Sequence, residues 1–424
     1  MLPRSHAHLR AGLKPWARSG MRDVEQREDK VAAAVAGQHP AVLFIWDRFG
    51  PYHVDRCEAA GRLLSGRFDV TGVEIASFDD IYRWKKSARG RNFTKITLFP
   101  NVRRLSVNPL RCWLSLMAAC LRLRARYVFA CNYEDPVIFF AMLILRMTGA
   151  KIVVMQDSKF DDKPRRLPWE FLKRLIYAPY HAALVASTRS AEYLAFLGFR
   201  RDRIFIGYDT VSVERIRTLS QTAPAPAGVP HADRHFTVIA RFVPKKNLRL
   251  ALDAYAQFVA QNPGTTRELH LCGAGDLEQE LKEHAARLGL SGVRFRGFLQ
   301  EAAIASTLGS TLALILPSIE EQFGLVINEA VAMGVPVLLS DNCGARDMLV
   351  RTAVNGYIFE PDNSDGLAHF MSMLANDAAE WERLCRGNGR FVQVSDTGYF
   401  AQAVERVISA LSGRRPPRIE EGRP

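Results

Sequence analysis

Long apolar runs are missing from this chain of 424 residues. No stretch reaches the roughly 18 to 20 apolar residues that a membrane-spanning helix needs. The nearest, 137–145, is about half that length and reads as a buried helix. Residues 1–37 mix Arg, Lys, His and acids without an apolar segment, so they read as a flexible extension and not as a secretory signal; Met21 is an alternative start to Met1. Cysteine is sparse and odd in number, seven in all, with no CxxC pair and no His at metal-ligand spacing. A disulfide framework and a zinc site are both excluded as expectations, no metal site is expected, and a reducing cytoplasm fits. The cysteines sit in apolar contexts that suit buried packing.

Acid is absent where base is dense. Between 81 and 126 there are twelve Lys/Arg and no Asp or Glu, whereas 235–410 carries fifteen basic against twenty acidic residues. The net charge of +13 therefore belongs to the first half. Trp84, Phe93, Phe99 and Trp113 interleave the basic stretch, which points to an anionic membrane surface as partner, with a solvated basic face as the alternative. A second basic and aromatic cluster follows at Lys163, Arg165, Arg166, Trp169 and Phe171, suited to a membrane face or a cleft rim. No helix-turn-helix, finger or RNP pattern accompanies the charge, so nucleic acid is not expected.

The length predicts two domains. In the second half, strands at 236–241, 269–272, 293–296, 312–316 and 335–339 alternate with helices at 247–259, 276–288, from about 301, and 324–333. Short β-rich runs separated by amphipathic helices predict an α/β fold with a doubly wound parallel sheet. The first half repeats the theme less regularly, with strands at 42–46, 70–75, 127–131, 152–156, 183–186 and 204–206. The Pro/Ala/Gly stretch within 220–234 reads as a linker between a first domain at 38–219 and a second at 235–394. A helix at 395–412 is expected to pack back toward the first domain, and 413–424 lacks apolar residues to bury and reads as a disordered tail. Two such domains imply a cleft, where ligands bind.

No Asp-x-Asp ends a strand; Asp79-Asp80 and Asp161-Asp162 read as surface pairs. What stands in its place is Arg241…Lys246-Asn247 and Glu321-Gln322-Phe323-Gly324…Glu329, each where a strand turns into a helix. Two cations and two carboxylates there suit a nucleoside-diphosphate sugar. Arg241 and Lys246 would stabilise the diphosphate as leaving group, helped by helix-start amides. Glu329, in the second turn of its helix, can accept two hydrogen bonds from a ribose diol, and Glu321 can reach the sugar. The backbone amides of Phe323, Gly324 and Leu325 face the same ligand, and Gly324 permits close approach. Glu320 reads as solvated. Gly273-Ala274-Gly275-Asp276 lacks the third glycine of a dinucleotide fingerprint, since position 278 is Glu278, and reads instead as a tight turn lining the nucleotide cleft. On the first domain, His53 in the Phe49-Gly50-Pro51-Tyr52-His53 loop and Asp157 after the 152–156 strand are acceptor-side candidates, with a structural histidine the alternative for His53.

Together these residues resemble the donor domain of family 4 glycosyltransferases, of GT-B fold. The resemblance runs over about 120 residues (238–359), through Arg241…Lys246-Asn247, Gly273-Ala274-Gly275-Asp276, Pro317-Ser318, Glu321-x-Phe323-Gly324…Glu329, Gly334-x-Pro336-Val337 and Asn355-Gly356. The first domain is less similar, mainly through Pro51-Tyr52-His53, 183–197 and Gly207-Tyr208-Asp209. The resemblance implies retaining, metal-independent hexosyl transfer by a front-face mechanism, with no cofactor beyond the sugar nucleotide. It assigns Arg241 and Lys246 to the diphosphate, Glu329 to the ribose, and Glu321 with the 323–325 amides to the sugar. Residues 295–299, Phe298 among them, would frame the base. Three positions depart from the family's pattern: Ala240 for Gly, Gln156 for His, and Phe49-Gly50-Pro51 for a Gly-rich loop. The acceptor expected from the basic first domain is a lipid-linked or cell-envelope glycan on the inner face of the membrane. The rival readings are an epimerase or phosphorylase on the same fold, or a membrane-docked subunit with a relic site.

Overall fold

The computed structural model describes residues 39–78 and 90–413. The extension at 1–37, the alternative start at Met21, Asp79-Asp80, the basic residues Arg83, Lys85, Lys86 and Arg89, and the tail from 414 lie outside the described residues.

Seven parallel strands make the first sheet, in the order β3-β2-β1-β4-β5-β6-β7. They are β1 (Ala41–Trp46), β2 (Asp69–Phe78), β3 (Thr94–Arg103), β4 (Ala125–Ala130), β5 (Lys151–Gln156), β6 (Ala182–Val185) and β7 (Ile204–Ile206). Six parallel strands make the second, ordered β10-β9-β8-β11-β12-β13. Here β8 is His235–Ile239, β9 Leu269–Cys272, β10 Val293–Gly297, β11 Thr311–Leu316, β12 Val337–Ser340 and β13 Gly356–Phe359. The central strands are continuous apolar runs because both faces of each sheet are covered by helices. In β1 every residue is buried. Val42, Phe44 and Trp46 enter one core while Leu43 and Ile45 enter the other, as the alternation of a strand requires. Proline at the first helical position opens three first-domain helices, Pro51–Leu64, Pro109–Arg122 and Pro136–Met147. Asn108 and Asp135 cap the latter two through their side chains.

Two strands, β3 and β13, are absent from the sequence reading. The first is an edge strand carrying Lys95, Pro100, Asn101 and Arg103, whose polarity hides it; the second is only four residues long. The helix Pro136–Met147 is also not the fully buried element expected. One stripe (Ile138, Ala141, Met142, Leu145) is buried, and the opposite one is exposed.

The chain passes from the first sheet to the second at 207–212. Helix Val213–Ser220 packs against helices Glu301–Gly309 and Leu325–Ala332 of the second domain. The Pro/Ala/Gly stretch lies along that domain too, with Ala225 N–H donating to Met333 O at 2.8 Å. The buried Arg234 guanidinium donates to the carbonyls of Ala227, Val229, Gly309 and Thr311, holding the stretch in place. Helix Thr397–Ser412 then returns to the first domain and packs on Pro51–Leu64, with Phe400 against Phe44 at 5.5 Å between ring centroids. The core on this side of β1 therefore runs unbroken through both domains.

Candidate active site

Between the two sheets lies a cleft of about 1470 Å³. All the candidate residues line it: Arg241, Lys246, Glu321 and Glu329, then Phe323, Gly324 and Leu325, then Gly273 and Phe298 from the second domain, with His53 and Asp157 opposite.

The cationic loop does not enter its helix directly. After β8, Pro244–Lys246 forms a 3-10 turn, Asn247 adopts a left-handed conformation at φ 53°, and only then does helix Leu248–Gln261 begin. Asn247 is the staple: its side-chain amide donates to Pro317 O at 3.2 Å and Pro361 O at 2.7 Å. The Ile319 amide donates to Lys245 O at 2.9 Å, so the cation loop and the Glu321 loop are stitched together. Lys246 Nζ pairs with Glu321 Oε2, which also accepts from Ser318 Oγ at 3.2 Å. Glu320, expected to be solvated, pairs with Lys245 at 3.2 Å.

Gly324 sits at φ 101°, a left-handed position that a side chain rarely adopts, and caps helix Leu325–Ala332. Among the described residues the N–H groups of Phe323, Gly324 and Leu325 have no protein acceptor, as expected at a helix start, and they border the cleft. Glu329, on the same helix, is only 5% exposed. One of its oxygens is already engaged: Tyr52 Oη, from the first domain, donates to Oε1 at 2.8 Å. Burial, partly offset by this bond and by Arg215, pushes the Glu329 carboxyl up to about 7. A hydrogen-bond donor arriving here would share Glu329 with Tyr52 or displace it.

The glycine turn is required by packing. A Cβ at Gly273 would lie 1.8 Å from Ala240 O, and one at Gly275 would lie 2.4 Å from Phe242 O. Only glycines let this turn press against the backbone on either side of Arg241. Phe298 is exposed at the cleft wall just after Gly297, whose φ of 67° turns the chain there.

On the first domain, His53 Nδ1 accepts the Gly50 amide at 2.8 Å and its ring lies 4.6 Å from that of Trp46. Burial, then the cations Arg56, Lys95 and Arg48, push it down to about 3. His53 is therefore neutral, with its proton on Nε2, and can offer a hydrogen-bond donor but no positive charge. Burial and the neighbouring Asp209 carboxylate raise Asp157 to about 7. Asp209 is itself held by the buried Arg56 at 2.9 Å. Gln156, 4% exposed, has neither amide atom paired among the described residues. Asp162, read from sequence as surface, is buried against Lys159 at 3.0 Å, because Lys159 itself is wholly enclosed. Among the described residues no three His, Cys, Asp or Glu side chains converge as a bound metal ion would need.

Further side chains clamp the two domains at this point. Arg215 pairs with Asp55 at 2.7 Å and with Glu301, joining helices of both domains. Asn328 donates to Asp209 O at 3.2 Å and Arg189 to Asp341 O at 3.0 Å. Tyr52, Arg215 and Asn328 were missed by the sequence reading. Tyr52 was visible only as part of Pro51-Tyr52-His53, and nothing local marks its partner.

Residues 220–390 match the family described as Glycosyl transferases group 1. A phosphatidyl-myo-inositol mannosyltransferase of Mycolicibacterium smegmatis is 28% identical over 243 residues, 56% of this chain and 60% of that protein. A D-inositol 3-phosphate glycosyltransferase of Streptomyces avermitilis is 27% identical over 253 residues, 56% of this chain and 54% of that protein. The chain thus spans less than two thirds of the length of these relatives. Among solved structures, sucrose-phosphate synthase from Thermosynechococcus elongatus superposes with a TM-score of 0.68 at 15% identity, covering 88% of this chain and 99% of that one. Anabaena Alr3699/HepE in complex with UDP and glucose gives 0.65 at 18% identity, covering 88% and 100%. The chain has the GT-B fold of these structures, and its second domain matches the group 1 glycosyl transferases.

Proposed function

We propose that this protein is a glycosyltransferase that moves a hexosyl group from a nucleoside-diphosphate sugar to a lipid-linked or cell-envelope glycan, with retention and without a metal ion. The observation that carries the reading is one wall of the cleft, where Arg241, Lys246, the 323–325 amides, Glu321 and Glu329 all converge. The names of the relatives, an inositol-lipid mannosyltransferase among them, support it.

The chemistry follows from the pairings. In this structure Lys246 is held by Glu321. An arriving diphosphate competes for the ammonium, and Glu321 is released toward the sugar hydroxyls. Arg241, Lys246 and the free amides stabilise the charge that grows on the leaving phosphate as the anomeric C–O bond breaks. The acceptor oxygen bonds to the anomeric carbon on the same face, and its proton passes to the departing phosphate oxygen. Neutral His53 offers an N–H to a hydroxyl or phosphate. The acceptor is met at an anionic membrane surface on the cytoplasmic side, to which the basic stretch 81–126 contributes.

The test is transfer of labelled sugar from UDP-, GDP- and ADP-sugars to a bacterial lipid extract, in the presence of EDTA. The account expects a labelled glycolipid with one donor. Conversion of the donor without acceptor would indicate an epimerase, and turnover only with inorganic phosphate a phosphorylase; either would overturn it.

A further inference from the structure

The exposed apolar surface of this protein is concentrated in one place. Of the 22 large apolar residues exposed among the described residues, fourteen lie between 105 and 175, and only four lie beyond 200. They are carried mostly by three successive helices, Pro109–Arg122, Pro136–Met147 and Leu167–Ile176. The first two cover one face of the first sheet side by side, and the third ends at Tyr177 in the same core.

Each helix buries one side and leaves an apolar side uncovered. On Pro136–Met147 the exposed residues are Phe140, Leu143, Ile144 and Met147, at helical spacings of three and four, with Met147 80% exposed. A stripe of that periodicity is what a helix ordinarily turns into a core. On Pro109–Arg122 the outer residues are Leu110, Leu114 and Leu121. Helix Leu167–Ile176 is the extreme case: its only buried residue is Glu170, engaged by Lys173 and Tyr193, while Trp169 is 61% exposed and Phe171, Leu172 and Leu175 stand beside it.

The charge around this face is predominantly positive. From 103 to 174 there are fourteen Lys/Arg and six Asp/Glu. Of those acids, Asp162 and Glu170 are buried in ion pairs and Asp135 is held by Arg104. Arg111, Arg122, Arg146, Arg166 and Arg174 are exposed on the same helices or at their ends.

We infer that the outer face of these three helices is a docking surface for an anionic lipid bilayer, with the apolar side chains entering the headgroup boundary and the arginines meeting lipid phosphates. Exposed apolar residues flanked by exposed arginines are the complement of such an interface. The face also leads to the site. Lys163, Arg165 and Lys173, before and within the third helix, line the cleft. A lipid-borne acceptor would keep its chains in the bilayer beside Trp169 and Phe171 and pass its polar head between the domains. Within the basic stretch 81–126, Lys95 is held by Glu74 at 3.0 Å and Arg104 by Asp47 and Asp135, so among its described residues helix Pro109–Arg122 is the part that meets the membrane, together with the two helices that follow it. The inference deepens the proposed function by naming the surface that meets the acceptor's membrane, but docking is measurable without any sugar donor.

The experiment is flotation of the full chain with phosphatidylcholine vesicles and with vesicles containing 30% (about one third) phosphatidylglycerol. The wild type should float with the anionic vesicles only. The pairs Leu143→Glu/Met147→Glu and Phe171→Glu/Leu175→Glu should each reduce the bound fraction about tenfold or more. Leu288→Glu, exposed on the second domain, should float as wild type. Thermal unfolding and nucleotide-induced stabilisation, unchanged in all variants, would confirm folding and separate docking from the donor site. Absence of wild-type flotation, or flotation unaffected by both pairs, overturns the inference. So does a wild-type dimer that the pairs dissociate without loss of flotation, which would make the face a contact between two copies.

Discussion

The buried carboxyl of Glu329 makes a prediction about the folded protein that needs no substrate. In the unfolded chain it titrates near an ordinary 4.5; in the fold, burial raises it to about 7. Below about pH 4 the group is protonated in both states and does not distinguish them. Between those values the unfolded chain releases the proton while the native protein keeps it, so stability falls as pH rises and levels off above 7. The difference between the two values corresponds to about 3 kcal/mol. Glu329→Gln keeps an acceptor for Tyr52 and removes the titration. Its stability relative to wild type should therefore climb by about 3 kcal/mol from pH 4 to pH 8. At roughly 2–4 °C per kcal/mol for domains of this size, the melting temperatures should diverge by roughly 6–12 °C. The assay is thermal unfolding of both proteins in parallel across that range. Because Asp157 titrates similarly in both proteins, its contribution cancels. Parallel curves would refute the reasoning and mean that Glu329 is ionised and solvated in the native cleft.

Other perturbations follow from the same geometry. Tyr52→Phe removes the one bond that holds the Glu329 carboxyl down, so the midpoint of the Glu329-dependent stability loss should move to higher pH, visible by the same melts. Lys246→Ala should lower the transfer rate by about 10² or more while the melting profile survives, since it removes a preorganised charge from the leaving group; an unchanged rate would take Lys246 out of the site. Gly273→Ala places a methyl 1.8 Å from Ala240 O and must push the turn away from the Arg241 loop. It should cost about 1–3 kcal/mol and abolish nucleotide-induced stabilisation.

The proposed donor wall was legible because its residues fall in short segments. Residues 241–247 and 321–329 each carry their functional groups within one loop and one helix start, so spacing alone placed them at strand ends. The tertiary clamp was not legible. Tyr52 and Glu329 are 277 residues apart, and no local pattern joins them. Nor does sequence show that Lys246 and Glu321 hold each other, since that depends on Asn247 stapling two loops. Of the proposed docking face, the sequence marked the basic and aromatic cluster at 163–171 but not helix Pro136–Met147. Helix Pro136–Met147 is apolar on both sides, so periodicity finds the helix without telling which stripe is covered. Edge strand β3 was masked by its own charge.

The central claim is that the cleft binds a nucleoside diphosphate through Arg241 and Lys246. Its most direct test is thermal stabilisation by UDP, GDP and ADP, in EDTA, of the wild type and of Arg241→Ala. A ligand that binds only the native state at 100 times its dissociation constant adds about 2.7 kcal/mol. The account predicts a clear shift with one nucleotide, lost in the variant, at unchanged melting of the free proteins. No shift with any of the three in a folded wild type, or an equal shift in Arg241→Ala, would contradict it.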